Sequence, residues 1–369
     1  MGGQVIHGSC AGQSGAQTGR RAFCLLPAVL LCLGLAHALP GQATPLAPPN
    51  ARLSEGFTAI TSVRELKDGR VLFTDPRERR IGLVDFKTNQ VTSVGRKGNG
   101  PGEFVNVAPL HALARDSSIM VDAFSRRWLL FAADRIVATV PPDESILPSR
   151  SFVVGIDTLG GLAVAVTSVL GSGGLAGTID SSEIVRLTRR GSTTEHQGWM
   201  FAGKIPDNPK AMRAWPVYDR AFHTKDGWTA LIRIDPYRVD WVPPSGAVKL
   251  GKPFNVPSVP VTSREKLAFM ELRGRLGGPE GIPDWPSHVP AIDVTYPIVE
   301  APSGELLIPR VQSADIAARR YDVVDRQGRL VRQIVLPMRG YLIGSGKKSL
   351  YSVALDQDDL NFLQRHPWP

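Results

Sequence analysis

Short apolar strands alternate with tight polar turns along most of this chain, and one such unit occurs twice. The first copy covers Ile60–Gly95, with a turn at Asp68-Gly69 ahead of the strand Val71–Asp75. The second begins at Leu110, about 48 residues after the first, and contains the matching strand Ile119–Asp122. A repeat of this length with several short strands per unit is typical of a β-propeller.

Turn signals recur at six places along the chain, near residues 68, 116, 159, 226, 303 and 347. Two of the intervals are longer than the repeat. One contains an expected helix at 262–276, where Thr262 and Glu265 match a capping box and Gly277 follows as a stop. The other contains the segment Trp199–Trp215. The pattern therefore predicts an all-β fold, a six-bladed β-propeller with one inserted helix.

A propeller ring has to close where its two ends meet. The last unit, Tyr341–Arg365, shows only three strands, so we expect the segment just before Phe57 to supply the missing outer strand. Prolines in that segment restrict where the ladder can start, because proline lacks an amide donor. The propeller is expected over residues 55–366, after an extended segment at 39–54.

The first 38 residues resemble a cleavable export signal. Arg20-Arg21 precede the apolar run Ala22–Leu35, and Ala36-His37-Ala38 matches a cleavage site. The run is shorter than the roughly 20 residues that span a bilayer core. Either the general secretory route or the twin-arginine route fits the basic pair. We expect an exported protein, periplasmic or extracellular, with no transmembrane segment after cleavage.

Cysteine and charge usage narrow the possible chemistry. All three cysteines, Cys10, Cys24 and Cys32, lie in this leader, so the mature chain would have no thiol for disulfides or catalysis. Losing Arg20 and Arg21 with the leader lowers the net charge from +9 to +7. The remaining positive charge is scattered, so nucleic-acid binding is not expected, and we expect a monomer.

A glycine-rich segment, 95–104, joins the first two units. Four glycines and Pro101 allow a tight crossing from an outer strand to the next inner strand, with Glu103 and Phe104 as anchors. The alternative is a phosphate-binding loop. Because no helix follows and Pro101 interrupts the spacing, the structural role is favoured.

This segment resembles the G-x-x-G-x-G-P-G-x-F connector of NHL-type six-bladed propellers, in particular exported bacterial ones. The likeness is most specific over residues 57–131, weakens through the next two units and returns at Arg320–Asp325. The resemblance implies a propeller fold and a binding or scaffolding role, with enzymes a minority.

Four polar side chains occupy the expected inner strands near their turns. We align Glu65, His111, His223 and Glu300 at positions of one parity, so that all four project towards a shared axis. Two imidazoles and two carboxylates suit a divalent metal that polarises a substrate or activates water. The alternative is that they are ordinary polar residues of inner strands, since no H-x-H or H-x-x-x-H pair occurs. No cofactor is therefore predicted outright, and a divalent metal is the alternative.

Three tryptophans, Trp199, Trp215 and Trp285, are expected in loops or insertions. They either offer flat apolar faces to a sugar or aryl ligand at the channel mouth, or pack an insertion onto the propeller.

Two further patterns are interpreted as structural. Asp75 and Asp122 recur once per unit, each five residues before an arginine (Arg80, Arg127), and we expect structural ion pairs. The segment 171–174 lacks the setting of a nucleophile and is expected to be a hairpin loop.

The sequence thus favours a non-enzymatic module that binds or scaffolds a protein, small-molecule or carbohydrate ligand. The alternative is a metal-assisted hydrolase or lyase using Glu65, His111, His223 and Glu300, with the tryptophans as its rim.

Overall fold

Among the described residues, six sheets of three to five strands are the six blades of a β-propeller, and three two-stranded sheets lie between them. This computed structural model describes residues 43–122, 127–140, 147, 151–167, 181–187, 194–201, 212–215, 217–275, 283–314, 316, 318–337 and 339–368. The expected leader, the 171–174 loop and the expected helix stop at Gly277 lie outside these residues.

The first half of the described chain contains blades 1 to 3, each given from the axis outward. Two N-terminal strands come first, β1 (Ala43–Pro45) and β2 (Ala51–Arg52). Blade 1 comprises β3 (Ser62–Glu65), β4 (Val71–Asp75), β5 (Arg80–Asp85) and β6 (Gln90–Ser93). The connector holds β7 (Arg96–Lys97) and β8 (Glu103–Phe104). Blade 2 comprises β9 (Leu110–Ala112), β10 (Ser117–Asp122), β11 (Arg127–Ala132) and β12 (Arg135–Val140). Blade 3 comprises β13 (Ser151–Ile156), β14 (Leu162–Thr167), β15 (Ser181–Leu187) and β16 (Thr194–Phe201).

The second half contains blades 4 to 6 and the insertion. After β17 (Met212–Arg213), blade 4 comprises β18 (Arg220–His223), β19 (Thr229–Ile234) and β20 (Tyr237–Val242). The insertion holds β21 (Val259–Pro260), α1 (Ser263–Arg275), β22 (Pro283–Asp284) and β23 (His288–Val289). Blade 5 comprises β24 (Val299–Glu300), β25 (Leu306–Pro309), β26 (Arg319–Val324) and β27 (Leu330–Leu336). Blade 6 comprises β28 (Gly340–Ser345), β29 (Ser349–Leu355) and β30 (Asn361–Pro367).

The apolar core is divided among the blade interfaces. Among the described residues, six clusters of buried side chains each join two neighbouring blades, including one between blades 6 and 1. In that cluster Phe57 and Phe73 pack with ring centroids 4.6 Å apart. Burial of apolar surface between blades, rather than within one sheet, therefore holds the ring together.

The N-terminal strands close the ring. Strand β2 pairs antiparallel with β30 and becomes the outer strand of blade 6, as the three-strand pattern of the last unit led us to expect. Strand β1 adds parallel to β27 at the edge of blade 5. Leu53 and Phe57, just after β2, are fully buried. The segment before Phe57 thus contributes one strand to blade 6, as expected, and a further strand to blade 5, which was not expected.

Blade 3 has an outer strand that the sequence pattern did not predict. Trp199, expected in an insertion, lies in β16 opposite Glu183 of β15. The register shifts between Ile184 and Val185, and Gly198 has φ +148°. Because the bulge breaks the alternation of apolar and polar residues, the strand pattern is hidden in the sequence.

The connector between blades 1 and 2 folds as expected. Glu103 accepts hydrogen bonds from the Gly100 amide (2.7 Å) and from Arg96 Nε (2.5 Å). Phe104 is buried in the cluster between the two blades. Gly98 has φ +155°, which side chains rarely adopt, and a Cβ there would lie 2.0 Å from Glu103 Oε2, so the position favours glycine.

The inserted helix begins at the predicted cap. The Thr262 hydroxyl and amide both donate to Glu265 Oε2, the amide at 3.1 Å, and the Arg264 amide donates to Thr262 Oγ1. Glu265 also accepts from Ser313 Oγ of blade 5. The capping box thus fixes the helix start and attaches the helix to blade 5.

The repeated aspartates are structural, although not through the ion pairs that we predicted. Asp75 is fully buried and accepts from the amides of Thr58 and Ala59 at 3.1 and 2.9 Å. Asp122 accepts in the same way from the Asn106 amide at 3.1 Å. Arg80 instead pairs with Glu55. The buried Asp75 carboxylate binds backbone amides of the loop that leads into β3. The expected ion pair between Asp75 and Arg80 was therefore wrong.

Candidate functional site

A channel of about 810 Å³ runs along the axis of the ring, between the six inner strands. Each inner strand is the first of its blade, so all six run in the same direction and end in hairpin turns on one face. We call this the hairpin face, and the opposite one the connector face. A channel of this size is within the range of small-molecule sites in proteins, about 300–1,000 Å³.

The four candidate residues do not share one parity. The turn-closing hydrogen bonds begin at the amides of Leu66, Leu113, Thr224 and Ala301. Glu65, His223 and Glu300 therefore each occupy the last position before a turn, whereas His111 lies two positions before Leu113. The expected alignment was wrong by one residue in blade 2. Its turn begins three residues before the expected position, Asp116, whereas the other three turns begin two residues before theirs. Successive side chains of a strand point to opposite faces of the sheet. His111 therefore projects from the opposite face of its blade to that used by Glu65, His223 and Glu300.

Glu65 and Glu300 bind the hairpin turns of the preceding blades. Glu65 accepts from the Lys347 amide (3.2 Å) and from the Tyr351 hydroxyl (2.5 Å) of blade 6. Glu300 accepts from the Lys225 amide of blade 4 (3.1 Å). Glu65 does not line the channel, while Glu300 does so at its hairpin end. Both carboxylates thus have structural partners between blades.

His223 is held in a buried network between blades 3 and 4. Its ring is fully buried, with Nδ1 2.9 Å from Thr229 Oγ1 and Nε2 3.7 Å from Asp157 Oδ2. Thr229 donates its hydroxyl proton to Gln197, so it accepts from Nδ1. Burial acts to raise the pKa of Asp157, but the nearby His223 and hydrogen bonds from the Leu159 and Gly161 amides outweigh it and lower that pKa. His223 borders the channel, but its imidazole lies buried in the channel wall, where Nδ1 donates to Thr229.

His111 is the candidate whose imidazole is available in the channel. It lines the cavity, is only partly buried, and forms no hydrogen bond with any residue that the structure describes. Protein surrounds the ring on nearly every side although solvent reaches it. This burial, with a smaller effect of His223, lowers the pKa of His111 to about 4. At neutral pH the ring is therefore uncharged and offers one hydrogen-bond donor and one acceptor.

Lys225 crosses the hairpin end of the channel, a position that sequence reasoning missed. It lies in the turn of blade 4, and its Nζ donates to Ser345 Oγ of blade 6 at 3.1 Å. Burial lowers the pKa of Lys225, while Glu300 acts to raise it. The Lys225 side chain spans from blade 4, past blade 5, to blade 6 at this end of the channel.

Arg220 was also missed. It begins the inner strand of blade 4, lines the channel, and donates to the Val294 carbonyl oxygen at 3.1 Å. Among the described residues it forms no ion pair with a carboxylate. No motif marks a single arginine at a strand start, so only the structure reveals it.

Apolar side chains line the channel towards the connector face. Phe152, near the start of its inner strand, is 57% exposed although it lies in a β-strand. Trp128, Val121 and Leu147 line the same part of the wall. The alternation of β13 gave no reason to expect an exposed aromatic ring at this position.

The three expected rim tryptophans lie elsewhere than around the channel. Trp199 is half-exposed on the outer strand of blade 3, with its ring 5.9 Å from that of His196. Trp215 and Trp285 pack against each other, and both pack against Phe269 of α1 at centroid distances of 4.8 to 5.7 Å. Packing of the insertion is thus the role that the contacts of Trp215 and Trp285 support.

The described residues contain no group of three His, Cys, Asp or Glu side chains that could hold a metal ion. The partners found for Glu65, His223 and Glu300 give the reason, since each side chain is directed into a blade interface. No helix among the described residues is long and apolar enough to cross a membrane.

No family model matches the chain, and no curated protein matches it in sequence. Solved structures similar to it include the calcium-binding protein regucalcin of Agrobacterium tumefaciens, with TM-score 0.44, 13% identity, and coverage of 89% of this chain and 98% of that one. Virginiamycin B lyase of Staphylococcus aureus gives TM-score 0.40 and 11% identity, covering 85% and 97%. A Bacteroides fragilis protein whose name describes it as exported gives 0.49 and 12%, covering 89% and 99%.

These likenesses at low identity concern the fold only. The six-bladed propeller itself is established by the six sheets and the six interfaces of this chain.

Proposed function

We propose that this protein is an exported binding module that holds a small ligand in its central channel. The observation that carries the proposal is His111, a neutral imidazole without a hydrogen-bond partner among the described residues, inside a channel of about 810 Å³. An imidazole that lines a mainly apolar channel offers one donor and one acceptor there, and such a site suits a ligand with an apolar body and a matching polar group.

The position of the ligand follows from the two ends of the channel. The Lys225–Ser345 hydrogen bond bridges the hairpin end, whereas Phe152 and Trp128 line the channel towards the connector face. A ligand would therefore enter from the connector face, place its apolar part against the aromatic side chains and reach His111 with a polar group.

Equilibrium dialysis of the mature protein against the small-molecule fraction of its native envelope tests the proposal. We expect mass spectrometry to find a compound retained in near-equimolar amount by the wild type and by His288→Leu, and lost in His111→Leu. His288 is exposed in β23, outside the channel, and is the matched control. If nothing is retained while a pull-down from the same envelope captures a stoichiometric protein partner, a scaffolding role replaces this one.

The alternative function, a metal-assisted hydrolase or lyase, has less support. It would need ligands that converge, and the described residues offer no group of three. Elemental analysis of the purified protein tests it, since a stoichiometric divalent ion would restore the alternative.

Export is the remaining part of the proposal. It is supported by the basic pair, apolar run and A-x-A site of the first 38 residues. We expect the mature protein to begin near Leu39, and N-terminal sequencing that finds Met1 would contradict this.

A further inference from the structure

The charge balance within the channel indicates which class of ligand it binds. Glu300 pairs with Arg326 at 3.1 Å and lies beside Lys225, so the charges at the hairpin end are compensated. Asp122, also on the wall, is buried and accepts from the Asn106 amide. Two cations line the channel, and among the described residues neither forms an ion pair with a carboxylate. The Lys225 ammonium donates to Ser345 and is influenced by Glu300, whereas Arg220 donates only to a backbone carbonyl oxygen of the described residues and is the cation left for a ligand.

The Arg220 side chain has donors to spare. A guanidinium carries five N–H donors in a planar fork, and the structure shows one of them bound, to the Val294 carbonyl oxygen. A partly buried guanidinium of this kind matches the two oxygens of a carboxylate, and such a charge-assisted pair is about twice as strong as a neutral hydrogen bond.

The same channel has an apolar wall for the rest of such a ligand. Phe152 exposes 57% of its surface there, next to Trp128 and Leu147. Exposure of a large aromatic ring inside a concave site is typical of surface that a ligand covers.

We propose that the channel binds an organic acid with an aromatic or otherwise apolar body, its carboxylate on Arg220 and its body against Phe152. This inference rests on the proposed function, and it adds the chemical class of the ligand. His111, uncharged at neutral pH, tolerates such an anion and can hydrogen-bond to a hydroxyl or carbonyl of its body.

Three probes that share one ring and differ in charge test the inference: phenylacetate, phenylacetamide and phenethylamine. Their dissociation constants are measured by ligand-observed NMR titration of the full mature protein. We expect phenylacetate to bind at least about tenfold more tightly than the amide, and the amine to bind most weakly.

Variants then assign the preference to its residue. In Arg220→Gln the preference for the carboxylate over the amide should disappear, and in Arg220→Lys it should be reduced. Arg77→Gln, which changes an exposed arginine of blade 1 outside the channel, should leave it intact. Because the comparison of the three probes on the wild type needs no variant, poor folding of Arg220→Gln would not prevent the test.

The outcomes separate the two proposals. Equal binding of all three probes, weakened by Phe152→Ala, would keep the ligand channel and overturn the role of Arg220. Preference for the amine would also overturn it. If none of the probes binds at millimolar concentration, the inference fails, and the dialysis experiment decides the proposed function independently.

Discussion

At the scale of single residues, the carboxylates of this propeller serve mainly as acceptors for backbone amides. Asp75 accepts from amides of the loop that leads into its own blade. Glu65 and Glu300 each accept from an amide in the hairpin turn of the preceding blade. The sequence shows that such residues recur, but the amide that a carboxylate binds can lie 282 residues away, as for Glu65 and Lys347. A structural role for Asp75 was therefore predictable, whereas its partners were not.

Replacing Asp75 should destabilise the fold strongly. Its carboxylate accepts from the amides of Arg77 and Glu78 as well as Thr58 and Ala59. Asp75→Ala leaves four part-buried amides without their acceptor, so we expect a loss of about 3 kcal/mol in the free energy of unfolding, measured by urea denaturation. The control is Asp85→Ala, whose carboxylate accepts from the Lys87 amide in an exposed turn and should cost less than about 1 kcal/mol. Equal losses in the two variants would contradict this assignment.

His111 should make the stability depend on pH. Its pKa is lowered from 6.5 to about 4 in the folded protein, chiefly by burial. Between these values the unfolded chain binds more protons, so the His111 contribution is present above about pH 6.5 and is lost as the pH falls towards 4.

Urea denaturation at a series of pH values measures this effect. His111→Gln should have a smaller loss of stability between pH 6.5 and 4 than the wild type, while His288→Gln should follow the wild type. If the free energy of unfolding depends on pH in the same way in all three proteins, His111 is not enclosed in the channel as described.

At the scale of elements, predictions succeeded where the local pattern is regular. The connector and the start of α1 follow from glycine, proline and capping residues close together in sequence, and both fold as expected. Strand β16 was missed because a bulge and Gly198 interrupt its alternation. Local signals thus predict an element only while its periodicity is intact.

The connector gives a paired glycine test. At Gly98 an added Cβ would meet Glu103 Oε2 at 2.0 Å, so Gly98→Ala should displace this side chain and destabilise the protein by more than about 1 kcal/mol. Gly274, exposed within α1, has no atom within 4 Å of an added Cβ. Gly274→Ala should raise stability by about 0.5–1 kcal/mol, since alanine favours a helix. Thermal and urea unfolding measure the stability of both variants. Gly98→Ala must lower the free energy of unfolding and Gly274→Ala must raise it.

The N-terminal strap, defined as residues 43–57, should contribute to the stability of the whole ring. Leu53 is fully buried between blades 6 and 1, and Arg52 beside it is exposed. Leu53→Ala should cost about 2–5 kcal/mol, and Arg52→Ala less than about 1 kcal/mol. If both changes are nearly neutral in urea denaturation, the strap does not close the ring.

At the scale of the whole molecule, six blade interfaces create a channel that no single blade contains. The six-bladed ring could be predicted from the spacing of turns. The channel chemistry could not, because a shift of one residue in a single turn reverses which way a side chain such as His111 points. Arg220 and Phe152 were overlooked for a related reason, since their place in the channel depends on how six strands are arranged around one axis.

The most direct test of a ligand-binding channel is the ¹⁵N NMR spectrum of the His111 ring, assigned by its loss in His111→Gln. We expect a neutral imidazole down to about pH 4, and ring resonances that shift when the compound retained in dialysis, or phenylacetate, is added. A ring that titrates near its ordinary value of 6.5 and does not respond to either addition would contradict the proposal that His111 lies enclosed in a ligand-binding channel.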